Sequence, residues 1–210
     1  MSDRDPLDRY YTPPQLVPPL ITHLGLDRGP ARRILEPCAG DGAIAQPLRA
    51  LGHEVVTADL DPGVSGLVDH QRCGLSWTRS ELVTFDLVIT NPPFLTPELH
   101  AAELIRHWLA SGAALVACLL RLTFLEPCNS GGRGDRVDLL TDGQLSDVLP
   151  LPRAAFGGPA REGKRGTGSV ICAWFIWRPG HSARGWRPIR TAVCAPPPPT
   201  TEPSRQLALI

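Results

Sequence analysis

The stretch from Arg33 to Asp59 restricts the fold of this chain more than any other. A short apolar run, Arg33-Ile34-Leu35-Glu36, stops at a turn of small residues, Pro37-Cys38-Ala39-Gly40-Asp41-Gly42. A helical stretch, Ala43–Leu51, follows, and a second run, Glu54–Asp59, closes the unit on an acid. Strand, helix and strand in that order make a crossover unit, whose two strands lie parallel. Pro47 falls inside the helical stretch, which predicts a short or kinked helix.

The rest of the chain repeats the alternation. Tyr10-Tyr11-Thr12-Pro13-Pro14 favours a turn leading into a helix over Gln15–Leu24. Phe85–Thr90 reads as a strand halted by Asn91-Pro92-Pro93, and Thr96–Ala110 as a helix capped by Thr96. Ala113–Leu122 is continuously apolar, as a central strand covered on both faces would be. Val148–Leu151 and Val170–Trp177 are later strands, the second rich in β-branched and aromatic residues. The pattern predicts an α/β fold with a mainly parallel sheet. A length of 210 residues suits one domain, expected over residues 1–190. The Pro-rich stretch 191–210 reads as a disordered tail, and the Gly/Arg-rich stretches Asn129–Arg136 and Gly157–Ser169 as surface loops.

Composition excludes several classes. The longest apolar run is far short of the roughly 18 residues of a membrane span. The charged start, Met1-Ser2-Asp3-Arg4-Asp5, is unlike a secretory signal, so a cytoplasmic protein is expected. The six cysteines contain no Cys-x-x-Cys pair, which gives neither a zinc knuckle nor a disulfide framework, and no metal is expected. Net charge is zero, but unevenly spread. Residues 1–120 carry 9 basic and 14 acidic side chains, whereas 121–190 carry 11 and 6. That asymmetry is compatible with a cofactor half and a half that faces phosphates.

Two loops carry the chemistry. In an open parallel sheet, ligands bind at the carboxyl edge, where Glu36–Gly42 must lie. Its glycines permit close backbone approach and positive φ. Asp59, ending the next strand, can accept both hydroxyls of a ribose. The full G-x-G-x-x-G of dinucleotide folds is missing, so a nucleoside without phosphates fits better. Asn91-Pro92-Pro93-Phe94 follows a strand and belongs to the same edge. Its prolines withhold two N–H donors and leave carbonyls to accept, as the Asn91 side-chain oxygen also can. Two fixed acceptors, Asn91 and the Pro92 carbonyl, would hold both hydrogens of an aromatic amine and favour a more nucleophilic nitrogen. Phe94 offers a face for a planar base.

With these motifs in this order, the chain resembles the class I S-adenosylmethionine-dependent methyltransferases, in particular the amino-methylating group that includes small phage and bacterial N6-adenine DNA enzymes. The resemblance spans about residues 10–178 and draws in Leu120-Arg121-Leu122 through Glu126, Leu151-Pro152-Arg153 and Ala173–Trp177. It implies a Rossmann-like, seven-stranded, mainly parallel sheet with helices on both faces. It implies S-adenosyl-L-methionine as cofactor, contacted by Tyr11, Thr12 and Pro13, by Glu36, Pro37, Cys38, Ala39, Gly40 and Gly42, and by Asp59, Leu60 and Asn91. It makes Asn91, Pro92, Pro93 and Phe94 the catalytic residues. The implied substrate is DNA, with RNA, a protein glutamine, or a role as an inactive cofactor-binding subunit as alternatives. Arg133, Arg136, Arg161, Lys164 and Arg165 are the candidate nucleic-acid contacts. The family's usual acid for the cofactor adenine is absent here; the stretch reads Cys73-Gly74-Leu75-Ser76-Trp77, with Asp69 the nearest earlier acid.

Overall fold

The computed structural model describes residues 10–60, 68–94, 100–126, 135–142, 144–156 and 171–181. Seven strands form one sheet: β1 (Arg33–Glu36), β2 (Glu54–Asp59), β3 (His70–Gln71), β4 (Leu87–Thr90), β5 (Val116–Arg121), β6 (Leu145–Pro150) and β7 (Cys172–Trp177). Their order is β3-β2-β1-β4-β5-β7-β6. The pairs β1–β2, β1–β4, β2–β3 and β4–β5 are parallel, while β7 runs antiparallel to both β5 and β6. The expected mainly parallel, seven-stranded sheet is thus present.

Among the described residues, five α-helices accompany it: α1 (Pro18–Leu24), α2 (Ala45–Ala50), α3 (Arg79–Leu82), α4 (Ala101–Ala110) and α5 (Val137–Thr141). They divide between the two faces because strand side chains alternate. On β5, Val116, Cys118 and Leu120 join a cluster with Leu82 of α3, Leu104, Ile105 and Trp108 of α4, and Leu139 and Leu140 of α5. Ala117 and Leu119 face the other way, toward Leu20 and Ile21 of α1 and Ala45 and Leu48 of α2. Every residue of β7 is buried. Its tryptophans are accommodated because each indole N–H finds a carbonyl: Trp174 donates to Leu16 at 2.7 Å and Trp177 to Leu139 at 2.9 Å.

Several elements differ from the sequence expectations. The helix around Pro47 is short, as expected, but covers only Ala45–Ala50 of Ala43–Leu51, with Pro47 in its first turn, where no intrahelical N–H bond is required. The helix expected to begin at Thr96 is described from Ala101, with His100 as its cap: the Glu103 carboxylate accepts the His100 N–H at 3.0 Å. Thr96 itself lies outside the described residues. Phe85 precedes β4 and packs in the core, in edge contact with Trp77. The two-residue β3 and the short helices α3 and α5 are too brief to show a periodicity in sequence. The 191–210 stretch lies outside the described residues.

Candidate functional site

The sheet order reverses between β1 and β4: the chain moves outward through β2 and β3, then returns to the other side of β1. Crevices open at the carboxyl ends of strands at such a reversal. The loops after β1, β2 and β4 are therefore neighbours at one edge, which brings Glu36–Gly42, Asp59–Leu60 and Asn91–Phe94 together.

Hydrogen bonds knit these loops. The Ala39 N–H donates to the Ala58 carbonyl at 2.9 Å, and the Gly40 N–H to Oδ2 of Asp59 at 2.9 Å. Thr90 Oγ1 lies 3.4 Å from the Cys38 carbonyl. Within the loop, Asp41 Oδ1 accepts the Ala43 N–H at 3.2 Å and Gly42 donates to the Ala39 carbonyl at 2.9 Å. Gly40 and Gly42 have φ of +52° and +78°, which a side chain would strain. At Gly40 space is short as well: a Cβ would lie 3.3 Å from Cδ1 of Tyr11.

That contact shows where the N-terminal motif goes. Tyr11 packs on Gly40, Thr12 and Pro13 are buried, and Tyr10 reaches Asn91. Asn91 Nδ2 donates to the Tyr10 carbonyl at 2.8 Å. This bond fixes the amide's orientation, and the buried Oδ1 is left with no hydrogen-bond partner. A buried acceptor left unpaired in a folded protein calls for an explanation, and a ligand donor is the simplest.

A second orphan lies at the end of β1. Glu36 is 1% exposed, and its Oε2 has no partner. Burial pushes its carboxyl well above the usual range; a hydrogen bond from the Ala45 backbone opposes this, and the charges of Asp41 and Asp59 add to it. Burial also raises Asp41, against the Ala43 hydrogen bond. Three carboxyl groups thus gather at one strand edge, and a cationic ligand there would favour the ionised forms that burial alone disfavours.

Asp69, the acid nearest the expected adenine contact, is otherwise engaged. Its Oδ2 accepts the Thr57 N–H and hydroxyl, each at 2.8 Å, and Arg49 Nη2 at 2.9 Å, tying the segment before β3 to β2. Leu60, beside Asp59, is 55% exposed.

Phe94 is half-buried against the core cluster beneath α4, and the Arg121 guanidinium sits 5.1 Å from its ring centroid. Arg121 belongs to the Leu120-Arg121-Leu122 stretch of the resemblance, which gives it no role of its own. The available signal was a cation closing the apolar run of β5. Of the candidate nucleic-acid contacts, Arg136 is held by its Nε on the Phe124 carbonyl at 2.8 Å and its Nη2 on the Thr123 carbonyl at 3.1 Å. Arg133, Arg161, Lys164 and Arg165 lie outside the described residues.

No protein-family model matches the sequence, and no curated protein is significantly similar to it. Solved structures are similar in fold. PH1948 from Pyrococcus horikoshii, provisionally described as an RNA methyltransferase, aligns with a TM-score of 0.57 at 14% identity, over 82% of this chain and 87% of that one. The chain has the class I methyltransferase fold. The type IIG restriction endonuclease BpuSI aligns with a TM-score of 0.57 at 13% identity over 83% of this chain, which spans only 26% of that larger enzyme. A Lactococcus lactis protein provisionally described as a hemolysin aligns at 0.56 and 14%, over 86% and 94%. Among the described residues, no helix of this methyltransferase-fold chain is long and apolar enough to cross a membrane.

Proposed function

We propose that this protein transfers the methyl group of S-adenosyl-L-methionine to an exocyclic amino nitrogen, with adenine N6 in DNA as the substrate. The observation that carries the reading is the buried, partnerless Oδ1 of Asn91, held in place by its own amide's bond to Tyr10.

The residues of the carboxyl edge fit the cofactor. The sulfonium and ammonium of S-adenosylmethionine are cations, and Glu36, Asp41 and Asp59 supply a concentration of carboxyl groups without a phosphate-binding G-x-G-x-x-G. Glu36 retains an unpaired oxygen for a donor. Gly40 and Gly42, both at positive φ, give the loop backbone without side chains, with Pro37, Cys38 and Ala39 completing it. Tyr11, Thr12 and Pro13 cover the methionine end, Asp59 serves the ribose, and Leu60 offers apolar surface beside it. When bound, the cofactor supplies an electrophilic methyl.

The chain's own part is placement. Asn91 Oδ1 and the Pro92 carbonyl accept the two hydrogens of the target amine, which turns its lone pair away from ring conjugation and toward the incoming methyl. Pro93 stiffens the turn, and Phe94 stacks on the base. As positive charge develops on nitrogen, the two acceptors bind its hydrogens more strongly, so they stabilise the transition state more than the ground state. A base in duplex DNA must first leave its stack. The basic residues Arg133, Arg136, Arg161, Lys164 and Arg165 supply phosphate contacts in this reading, against the acidic first part of the chain.

Transfer of a tritiated methyl onto unmethylated DNA, RNA and a protein extract in parallel, followed by nucleoside analysis, tests the proposal. Label in N6-methyladenine from DNA supports it. Label confined to protein glutamine moves the substrate to a side-chain amide, which the same acceptors could hold.

A further inference from the structure

Phe94, the last residue of the tetrapeptide, forms one wall of a cavity of about 130 Å³. Arg121 at the end of β5, Thr123 and Phe124 in the turn after it, and Arg136 before α5 build much of the rest. Among the described residues the lining holds two arginines and no carboxylate. Each arginine lies over an aromatic ring, Arg121 at 5.1 Å from the Phe94 centroid and Arg136 at 5.1 Å from that of Phe124. The volume is well below the roughly 300–1,000 Å³ of a whole small-molecule site, so it suits one group of a larger ligand.

Arg121 differs from four other arginines in how its charge is used. Arg33, Arg49, Arg72 and Arg106 each hold a carboxylate. Arg121 is exposed, follows five buried residues of β5, and makes no ion pair among the described residues. A guanidinium stacked on a ring spends its face and keeps its in-plane N–H groups, which match two oxygens of a phosphate. Thr123 adds a hydroxyl to the same cavity.

We propose that this cavity seats a phosphodiester of the target strand, with Arg121 as its principal donor. The inference rests on the nucleic-acid reading above and deepens it. Phe94 is the shared element: the ring that stacks the base also carries the cation that holds the phosphate, at the fixed offset a nucleotide's sugar imposes. A glutamine side chain has no anion tied at such an offset. Charge sets the direction of entry as well. The phosphate is repelled by the carboxyl groups at the ends of β1 and β2 and attracted to Arg121, so the base is presented toward Asn91 and the backbone away from the cofactor.

The test is binding of fluorescent single-stranded DNA and RNA oligonucleotides of one sequence, titrated over a range of salt, to the full chain and to Arg121→Gln and Arg121→Lys. Calorimetry with S-adenosylmethionine on the same samples establishes that each variant is folded. Arg121→Gln should bind about tenfold more weakly, and its salt slope should fall by about 0.7 on a single strand. Arg121→Lys should keep the slope and lose part of the affinity, since an ammonium cannot stack and chelate together. Tighter binding of RNA with the same Arg121 dependence keeps the phosphate site and changes the polymer. Unchanged affinity and slope in Arg121→Gln, with the parent binding DNA, overturns the site and leaves the base-directed activity standing. If the parent binds neither polymer and methylates protein, both readings fall.

Discussion

Asn91 donates its side-chain N–H to the Tyr10 carbonyl at 2.8 Å across 81 residues of sequence, and its own Oδ1 stays buried without a partner. The bond does two things at once. It ties the N-terminal motif to the loop after β4, and it decides which end of the amide is left for a ligand.

Replacing Asn91 therefore has two separable consequences. Asn91→Ala removes acceptor and tie and should slow the methyl-transfer step by about 10²–10³-fold, with cofactor affinity changed only a few-fold. Asn91→Asp keeps an acceptor but cannot donate to Tyr10, so it should fall between the two. Single-turnover kinetics measure both; a near-parental rate in the Ala variant would remove the side chain from the chemistry.

Asp59 joins the loops after β1 and β2 through the Gly40 N–H. Asp59→Ala should weaken S-adenosylmethionine binding by about 1–3 kcal/mol, the range for losing hydrogen bonds to a charged group. Isothermal calorimetry reads this directly, and equal affinity would place the ribose elsewhere.

At Gly40, backbone and packing argue the same way. A φ of +52° penalises an L side chain, and a methyl would press on the Tyr11 ring at 3.3 Å. Gly40→Ala should destabilise the fold by about 1–2 kcal/mol and loosen the Tyr11 contact. Thermal denaturation with and without cofactor checks it, and an unchanged midpoint would show that the loop relaxes freely.

Glu36 makes stability depend on pH. Burial raises its carboxyl well above the unfolded value of 4.5, so the folded state holds this proton more tightly than the unfolded state does. The contribution is complete below 4.5 and is lost as pH rises from there toward the folded value. Glu36→Gln, neutral at every pH, should flatten the fall in melting temperature above about pH 5. A parent and variant with parallel profiles would mean that the carboxyl is not buried as described.

Much of this was legible in the residues. Turn chemistry is local, so Pro37–Gly42 and Asn91–Pro93 marked strand ends without a structure, and the apolar runs of β5 and β7 announced buried strands. The crossover unit then required parallel pairing, and two acid- or amide-bearing loops at one sheet edge followed from it. Short elements were not legible. Two residues of β3 and four of α3 exist because neighbouring strands and core side chains hold them, and so brief a segment has no periodicity of its own. Nor could sequence assign Asp69, whose carboxylate is taken up by Thr57 and Arg49 only because β2 and the segment before β3 are brought side by side. Sequence by itself determined the order of the motifs and the kinds of atoms they carry. Tertiary structure alone decided which of those atoms are already paired: Asn91 Nδ2 on Tyr10, Asp59 on Gly40, Arg121 on a ring and not on an acid. Hydrogen bonding and burial are properties of distance, and residues far apart in the chain acquire a distance only when the sheet closes.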